Sequence, residues 1–323
     1  RDWATLAAEP CTQVDLQLVE APRAYWLKTL RKIIKHMDGP GYSPAVFPLW
    51  NVCASATSQK VNVLLEGQGA DELLGGYPDY AAAVFVNNFW QLLRGLRWRA
   101  LLDEAKGFVR AFGLVFFAMR LARLVSPRIA EWNRRHNGVF GTMRTDFVAR
   151  VTDACEAYPP ERKNTASSLA EREMRLDFSS RILPGLLQYG DTVSMANGVE
   201  SRLPFLDYRL VEFCARLPLE WKIRNGQTKY ILRQYLRANG QRVIGNRMDK
   251  KGYPTPIEAL FKQNKGQFLR DLLLAPNARV LAYCDPLLLG KLIDKYLAGN
   301  GRSENPLYRL VSTELWLQEC IPA

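Results

Sequence analysis

The sequence predicts an α/β protein in which a partial open parallel sheet is followed by a large, mainly α-helical remainder. The segment "TQVDLQLVE" (12–20) alternates Val14, Leu16 and Leu18 with polar neighbours, a pattern typical of a half-buried strand. The apolar run Val61–Leu65 predicts a second strand. Segments with helical spacing lie between the two, and a strand–helix–helix–strand order indicates an open α/β layer.

Helical segments account for most of the chain. Pro22 suits the first turn of a helix that continues through "RAYWLKTLRKIIKHM", and a shorter helix is predicted over Phe47–Thr57. After Tyr80 we expect no further strand, and amphipathic spacing predicts helices over roughly 81–93, 100–124, 141–157, 161–189, 207–216, 228–238, 256–273, 286–298 and 304–318. We therefore expect two regions, a partial α/β region over 1–80 and a helical region over 81–323.

The composition is that of a globular protein with an excess of positive charge. The 323 residues are 48% hydrophobic and 24% charged, with a net charge of +12. Such a charge suits acidic partners, namely phosphates, nucleic acid or a membrane surface. The ten basic and three acidic residues from Arg94 to Arg135 are interpreted as a solvated helical face. The sequence has no base-reading motif and no apolar run of about 18 residues, so we expect neither nucleic acid nor membrane as a partner.

The six cysteines are scattered along the chain and form no Cys-x-x-Cys pair. Disulfide frameworks and metal sites need clustered or regularly spaced ligands, so we expect free thiols, a reducing compartment and a cytoplasmic location. The two histidines, His36 and His136, match no zinc-binding spacing with these cysteines.

The loop "EGQGADELLGGY" (66–77) follows the predicted second strand and combines glycines with acidic residues. Gly67 and Gly69 would let a ligand approach the backbone beyond the carboxyl end of that strand. Asp71 and Glu72 carry hard oxygen ligands, suited to Mg²⁺ that bridges phosphates. The loop lacks the third glycine of a dinucleotide fingerprint and the Gly-Lys-Ser/Thr of a Walker loop. An acidic glycine turn that only caps the next helix is the alternative interpretation.

Three further motifs come later in the chain, in "GDTVSMANGVESRLPFLDYRLVEFCARLP" (190–218), "KYILR" and "KKGYPTP". Together with the loop they make the chain resemble the synthetase domain of glutamine-hydrolysing asparagine synthetases. Four family motifs in family order carry this resemblance: "GxGxDExxGGY" over Gly67–Tyr77, "DxxSMxxxxExRxPFLDxxLVEF" over Asp191–Phe213, "KYxLR" over Lys229–Arg233 and "KKGxPxP" over Lys250–Pro256.

The resemblance implies a nucleotide-binding layer of the adenine nucleotide alpha hydrolase type and an ATP-dependent amide ligase. In this family a carboxylate attacks the α-phosphorus of ATP, pyrophosphate leaves, and ammonia converts the acyl-adenylate to an amide. ATP and Mg²⁺ are the expected cofactors. The implied site residues are Gln68 and Lys229 as catalytic residues, Glu66, Gly67, Gly69, Asp71 and Lys251 at the nucleotide, and Asp71 at the metal. Lys229 would steady the departing pyrophosphate, and its alternative interpretation is a surface lysine on a helix.

Two expected parts of the family pattern are missing from the sequence. The pyrophosphate loop "SGGxDS" does not occur, and neither does the glutaminase domain that would supply ammonia. We therefore expect an N-terminally truncated chain that cannot turn over ATP by itself. A sheet that lacks its first strands exposes an edge, so a homo-oligomer is among the expected partners. A non-catalytic relative that keeps the fold as a binding module is the alternative.

The acceptor of the amide nitrogen is expected to be a small-molecule carboxylate bulkier than aspartate. Gln68 stands where the family often has a glutamate, and a glutamine cannot take a proton from ammonium. The loop Met37–Pro48 is expected to line the acceptor pocket and offers no arginine to clamp a second carboxylate, while Gly41 would leave room. Aspartate, a sugar carboxylate and a peptide carboxylate all stay candidate acceptors, and these residues favour one bulkier than aspartate. Glu200 and Arg202 are interpreted as a buried ion pair that shapes the pocket floor.

Overall fold

The structure, a computed structural model, describes residues 2–11, 13–20, 23–41, 43–95, 98–114, 118, 139–156, 168–247, 255, 257–299 and 304–322. Its α-helices, in chain order, are α1 Asp2–Ala8, α2 Trp26–Met37, α3 Val46–Ser58, α4 Ala70–Leu74, α5 Pro78–Arg94, α6 Trp98–Phe112, α7 Thr145–Glu156, α8 Leu169–Leu176, α9 Leu183–Ala196, α10 Tyr208–Arg216, α11 Leu219–Lys222, α12 Tyr230–Ala238, α13 Arg242–Asn246, α14 Ile257–Phe261, α15 Gln267–Leu273, α16 Pro286–Leu297 and α17 Glu304–Cys320.

Two short strands form a parallel sheet, which confirms the predicted α/β class. β1 (Val63–Leu65) pairs with β2 (Glu200–Arg202) in the register Val63 to Glu200 and Leu65 to Arg202. The amide of Glu66 extends the ladder by donating to the Arg202 carbonyl at 2.9 Å. The expectation that no strand follows Tyr80 was wrong. The sequence "ESR" of β2 has no apolar alternation, and only its pairing with β1 makes it a strand.

The predicted strand over 12–20 was also wrong. Within residues 13–20 the backbone forms neither strand nor helix, and Val14 and Leu18 are 55% and 45% exposed. A half-buried strand needs a neighbour for its backbone hydrogen bonds and a surface to cover its apolar face. Neither is present next to this segment within the described residues, so the alternating pattern alone does not produce a strand.

The predicted helices are mostly found, and two of them are interrupted. The segment predicted as one helix over 161–189 contains α8, a π-helical turn over Asp177–Arg181 and the start of α9. Pro184 lies in the first turn of α9, where proline starts a helix more readily than it continues one. The helix predicted over 256–273 breaks at Asn264 and Lys265, whose φ angles are 47° and 57°. The predicted helix 100–124 is α6 as far as Phe112, and most residues beyond 114 lie outside the described part.

The largest core lies between α2, α3, α9 and the C-terminal helices. Its centre is fully buried and includes Ile33 on α2, Cys53 on α3, Phe261 on α14 and Leu315 on α17. This core takes residues from both sides of position 80, and the division into regions 1–80 and 81–323 stays a prediction. Across the described ranges, no helix is both long enough and apolar enough to span a membrane.

The short helix α4 follows β1 directly and is held on a second, smaller core. Leu73 and Leu74 pack with Cys214 of α10. Gly75 ends α4 with a φ of 67°, and a Cβ at Gly75 would lie 2.7 Å from the side chain of Ile223. Because β1 and β2 are parallel, the loop that leads into α4 lies at the carboxyl ends of both strands. Ligands of open α/β sheets bind at this edge.

Candidate active site

Glu66 ties the loop after β1 to the neighbouring strand. Its carboxylate accepts a hydrogen bond from the Ser201 hydroxyl at 2.6 Å, and Ser201 is the central residue of β2. Glu66 also lies near the buried thiol of Cys53, where burial first and the Glu66 carboxylate second raise the pKa to about 11. The Glu66 side chain is therefore half-buried and fixed, and it positions the start of the loop.

The next glycines of the loop differ in what surrounds them. A Cβ at Gly67 would meet nothing within 4 Å, so the backbone there is open to a ligand. Gly69 has a φ of 87°, and a Cβ there would lie 2.4 Å from Leu206. Gly69 is thus required by the fold, while Gly67 is the open position. Gln68 lies between them and is half-buried.

The fold brings Asp71 and Lys229 together from distant parts of the sequence. The Lys229 ammonium lies 3.2 Å from Oδ1 of Asp71, and the side chains of the two residues are 26% and 29% exposed. Asp71 lies in the first turn of α4, and Lys229 precedes α12. Lys229 has a left-handed backbone with a φ of 51°, which is uncommon for a residue with a side chain. Strained positions of this kind cluster at functional sites.

Gly76 packs against both members of the Asp71–Lys229 pair. A Cβ at Gly76 would lie 1.8 Å from Oδ1 of Asp71 and 2.6 Å from Cε of Lys229. The Gly76 amide also donates to the Asp71 carbonyl at 2.7 Å. Gly76 was not among the site residues predicted from the sequence. The only signal for it was the second glycine of the "GGY" in the loop, which does not show what a side chain there would meet.

The other acidic residue of α4 faces the protein interior. Glu72 is 2% exposed, and it accepts a hydrogen bond from the Tyr77 hydroxyl at 2.7 Å. Close by, the Tyr80 hydroxyl donates to Asp177 at 2.8 Å, and Asp177 also accepts from Arg181 at 2.8 Å. Burial, followed by these carboxylate partners, raises the pKa of both tyrosines. The expectation that Glu72 offers a metal ligand together with Asp71 was therefore wrong.

A family model described as asparagine synthase matches residues 1–318. The chain belongs to the asparagine synthase family. The resemblance inferred from the four motifs is thereby confirmed.

Individual relatives carry asparagine synthetase and amidase names. The chain is 26% identical over 305 residues to "Asparagine synthetase [glutamine-hydrolyzing] 1" of Bacillus subtilis, covering 94% of this chain and 47% of that protein. It is 26% identical to a "Putative asparagine synthetase [glutamine-hydrolyzing]" of Mycobacterium bovis, covering 90% of this chain and 44% of that protein. It is also 26% identical to "Amidase chyE" of Penicillium rubens, covering 71% and 37%. The chain spans less than half the length of each of these relatives.

The donor set at the loop fits Mg²⁺ that is held chiefly by phosphate oxygens. Mg²⁺ often uses one or two protein carboxylates and takes its other ligands from water and substrate phosphates. Asp71 supplies one such carboxylate, and across the described ranges no group of three acidic, cysteine or histidine side chains could hold an ion by itself. The alternative that Asp71 is only a helix cap is wrong, because Gly69 is the N-cap and α4 has no side-chain cap hydrogen bond.

Two expectations about the pocket need correction. Glu200 and Arg202 do pair, with Nε 2.8 Å from Oε1, but their side chains are more than half exposed, so the pair is not buried. The reason is that both lie at the surface of a two-stranded sheet. Gly41 leaves no room for an acceptor, because a Cβ there would lie 2.7 Å from the Tyr308 hydroxyl and 2.9 Å from that of Ser312.

Two residues of the predicted pocket cannot be placed. Tyr42 of the acceptor loop and Lys251 of the "KKG" motif lie outside the described residues. The nucleotide-binding role of Lys251 therefore stays a prediction from the family motif.

Proposed function

We propose that this chain is the synthetase part of an ATP-dependent amide ligase. It would convert a carboxylate to an amide through an acyl-adenylate, with ammonia released from glutamine by a separate glutaminase domain. The observation that carries the proposal is the Asp71–Lys229 pair, 3.2 Å apart beside the open backbone of Gly67 and at the carboxyl ends of two parallel strands. Membership of the asparagine synthase family supports the reaction class.

The three elements of this site suit three different parts of the chemistry. The open backbone at Gly67 lets the nucleotide approach closely, as glycine does in other nucleotide loops. Asp71 would hold Mg²⁺, which neutralises phosphate charge when bound. Lys229 would donate to the oxygens of the departing pyrophosphate, where charge grows as the phosphoanhydride bond breaks. The closely packed Gly76 fixes the separation of the two charged groups.

The acceptor is proposed to be a carboxylate on a sugar or peptide. Gln68 is half-buried next to Gly67, and its neutral amide cannot take a proton from ammonium. A second carboxylate on the acceptor, as in free aspartate, would need a cationic fork. The sequence from Gly41 to Pro44 contains no arginine. These two observations favour an acceptor with a single reacting carboxyl.

A pyrophosphate-release screen tests the function and the acceptor together. The protein with its native N-terminal sequence is incubated with ATP, Mg²⁺ and a panel that contains aspartate, uronic acids and carboxyl-bearing peptides. We expect release that depends on one acceptor class, and amide formation with either ammonium or glutamine. Asp71→Asn serves as the inactive control. Efficient release with free aspartate would overturn the acceptor proposal and leave the reaction class intact. Absence of release with every acceptor would favour the non-catalytic binding module.

Two further parts of the proposal come from the sequence. A cytoplasmic location follows from the cysteine pattern, and self-association follows from an exposed strand edge. In the part of the chain that the structure describes, β1 pairs only with β2, which supports such an edge. The mass of the purified protein in solution, measured by light scattering, tests the oligomeric state.

A further inference from the structure

A cavity lies against α4 and is separate from the nucleotide loop of the proposed active site. Its volume is about 320 Å³, and its walls come from α4, α8, α10, α11 and the turn after α8. None of Glu66, Gly67, Gln68, Asp71 or Lys229 lines it. Leu73 and Glu72 do line it, so the cavity and the Asp71–Lys229 pair use different faces of the same short helix.

A lysine whose side chain is largely buried lines this cavity. Lys222, the last residue of α11, lines the cavity and is only 7% exposed. Burial lowers the pKa of its ammonium, while Cys214 and Glu171 act in the opposite direction. Among the residues that the structure describes, no hydrogen bond or ion pair holds this ammonium. A largely buried ammonium is stabilised by an anion that binds next to it. The geometry therefore suits a ligand with a negative group.

The remaining walls restrict what that ligand can be. Arg175 adds a second positive charge, while Glu72 and Glu171 add two negative charges, so the charged lining is balanced overall. A phosphate or a dicarboxylate would meet two carboxylates at close range, which disfavours it. A ligand that carries one negative and one positive group is compatible with both the basic and the acidic side chains of the lining. The other walls are mainly apolar, and they comprise Leu73, Met174, Phe178, Val211, Cys214 and Ala215.

We propose that this cavity binds a zwitterionic α-amino acid with an apolar side chain. The carboxylate would pair with Lys222, the ammonium group would face Glu171, and the side chain would contact the wall around Met174 and Val211. A volume of about 320 Å³ lies at the small end of ligand pockets and suits a molecule the size of leucine, methionine or phenylalanine.

Occupancy of this cavity would act on the proposed active site through α4. Leu73 and Glu72 contact the cavity while Asp71 of the same helix pairs with Lys229. A ligand that binds one arrangement of α4 better than another shifts the population of that arrangement. The cavity is therefore assigned as an effector site, and binding to it can be measured independently of any enzymatic activity.

Calorimetric titration of the purified chain tests the site. The panel contains leucine, methionine and phenylalanine, together with 4-methylpentanoate, which lacks the amino group, and 3-methylbutylamine, which lacks the carboxylate. We expect at least one of the three amino acids to bind saturably and both analogues to bind much more weakly. Lys222→Met keeps the length and apolar stem of the side chain, and it should weaken binding about tenfold or more through loss of one charge-assisted hydrogen bond.

Lys262→Met is the matched control, because Lys262 lies outside the cavity and outside the nucleotide loop, and its removal should leave amino-acid binding unchanged. A second measurement does not depend on the folding of a variant. Reductive methylation of the wild-type protein, followed by mass spectrometry, should label Lys222 more slowly relative to Lys262 when the amino acid is present. Absence of binding by all three amino acids, equal binding of 4-methylpentanoate, an unaffected Lys222→Met variant or unprotected Lys222 would each overturn the assignment.

Discussion

The two carboxylates of α4 are neighbours in sequence and differ in every physical respect that decides their use. Asp71 is partly exposed, with 29% of its side chain accessible, and its ionic partner Lys229 comes from a distant part of the chain. Glu72 is 2% exposed and accepts a hydrogen bond from Tyr77 within the same loop. One residue along a helix is a rotation of about 100°, which is enough to move a carboxylate from a ligand-facing surface into a core.

This difference shows why acidic residues in a motif cannot be treated as a group. A partly exposed carboxylate whose cationic partner is also partly exposed can exchange that partner for a metal ion. A buried carboxylate that already accepts a hydrogen bond loses stability if it is drawn away. We therefore expect mutations at Asp71 to change activity and mutations at Glu72 to change folding.

The largest expected effect is on catalysis, at Asp71. Asp71→Asn in the complete protein should lower acceptor-dependent exchange of pyrophosphate into ATP by roughly 10²–10³, the scale of one lost charge-stabilising contact. The free energy of unfolding should change by less than about 1 kcal/mol, because partly exposed ion pairs contribute little. Lys229→Ala should give a similar loss of exchange. Exchange rates and denaturant midpoints measure the two quantities.

Lys262→Ala provides the matched control for that pair. Lys262 also forms an ion pair, with Glu258 of α14 at 2.6 Å, and it directly follows α14, far in sequence from the loop. Its removal should leave exchange at the wild-type rate. Undiminished exchange in Asp71→Asn, or a loss in Lys262→Ala as large as that in Asp71→Asn, would contradict the assignment of Asp71.

The next effect is on stability, at Glu72. Glu72→Ala removes a buried carboxylate and the acceptor of the half-buried Tyr77 hydroxyl, and it should lower the free energy of unfolding by about 2–4 kcal/mol. Glu72→Gln keeps an acceptor of similar shape and should cost less. Urea unfolding monitored by circular dichroism measures both. A Glu72→Ala variant as stable as the wild type would remove the contrast between the two carboxylates.

Two glycines of the loop, Gly76 and Gly67, allow a similar comparison between a closely packed position and an open one. Gly76→Ala places a methyl group 1.8 Å from Oδ1 of Asp71, so the Asp71–Lys229 pair must separate. We expect Gly76→Ala to lower pyrophosphate exchange about tenfold or more, since small displacements of catalytic groups are costly.

The alanine of Gly67→Ala meets no protein atom within 4 Å, so the unfolding midpoint of this variant should stay at the wild-type value. Exchange should nevertheless fall if the nucleotide approaches this backbone. Full activity in Gly67→Ala would contradict that approach.

Much of this arrangement could be predicted from the sequence, and particular residues show where prediction ended. β1 was found because an apolar run precedes a glycine loop, and α2 because its apolar positions repeat at helical spacing. β2 was missed because "ESR" becomes a strand only through its pairing with β1. The segment 13–20 was wrongly predicted as a strand. Alternating apolar and polar residues indicate a strand only where a neighbouring strand is present to pair with it. Asp71 and Lys229 were both identified from motifs, but their pairing and the packing of Gly76 between them depend on tertiary structure.

The smallest expected effect is a decrease of stability at alkaline pH, caused by two tyrosines on the interior side of α4. The pKa values of Tyr77 and Tyr80 are raised in the folded protein above their ordinary value of 10.0, first by burial and then by hydrogen bonds to Glu72 and Asp177. A raised pKa means that the folded state keeps protons that the unfolded state releases. The stability contributed by each tyrosine is therefore complete below about pH 10 and decreases as the pH rises above it.

Ionisation of each of these tyrosines in the unfolded chain should lower the free energy of unfolding by about 1 kcal/mol between pH 10 and pH 11. Tyr80→Phe removes one titrating group and should make this decline shallower, although it also removes a hydrogen bond to Asp177 and so lowers stability at neutral pH. Denaturant unfolding of wild type and variant between pH 8 and pH 11 separates the slope from the offset. Parallel curves for the two proteins would mean that Tyr80 ionises equally in both states. Water would then reach the interior side of α4. Asp71 and Glu72 would differ in their bonding partners and no longer in their access to water.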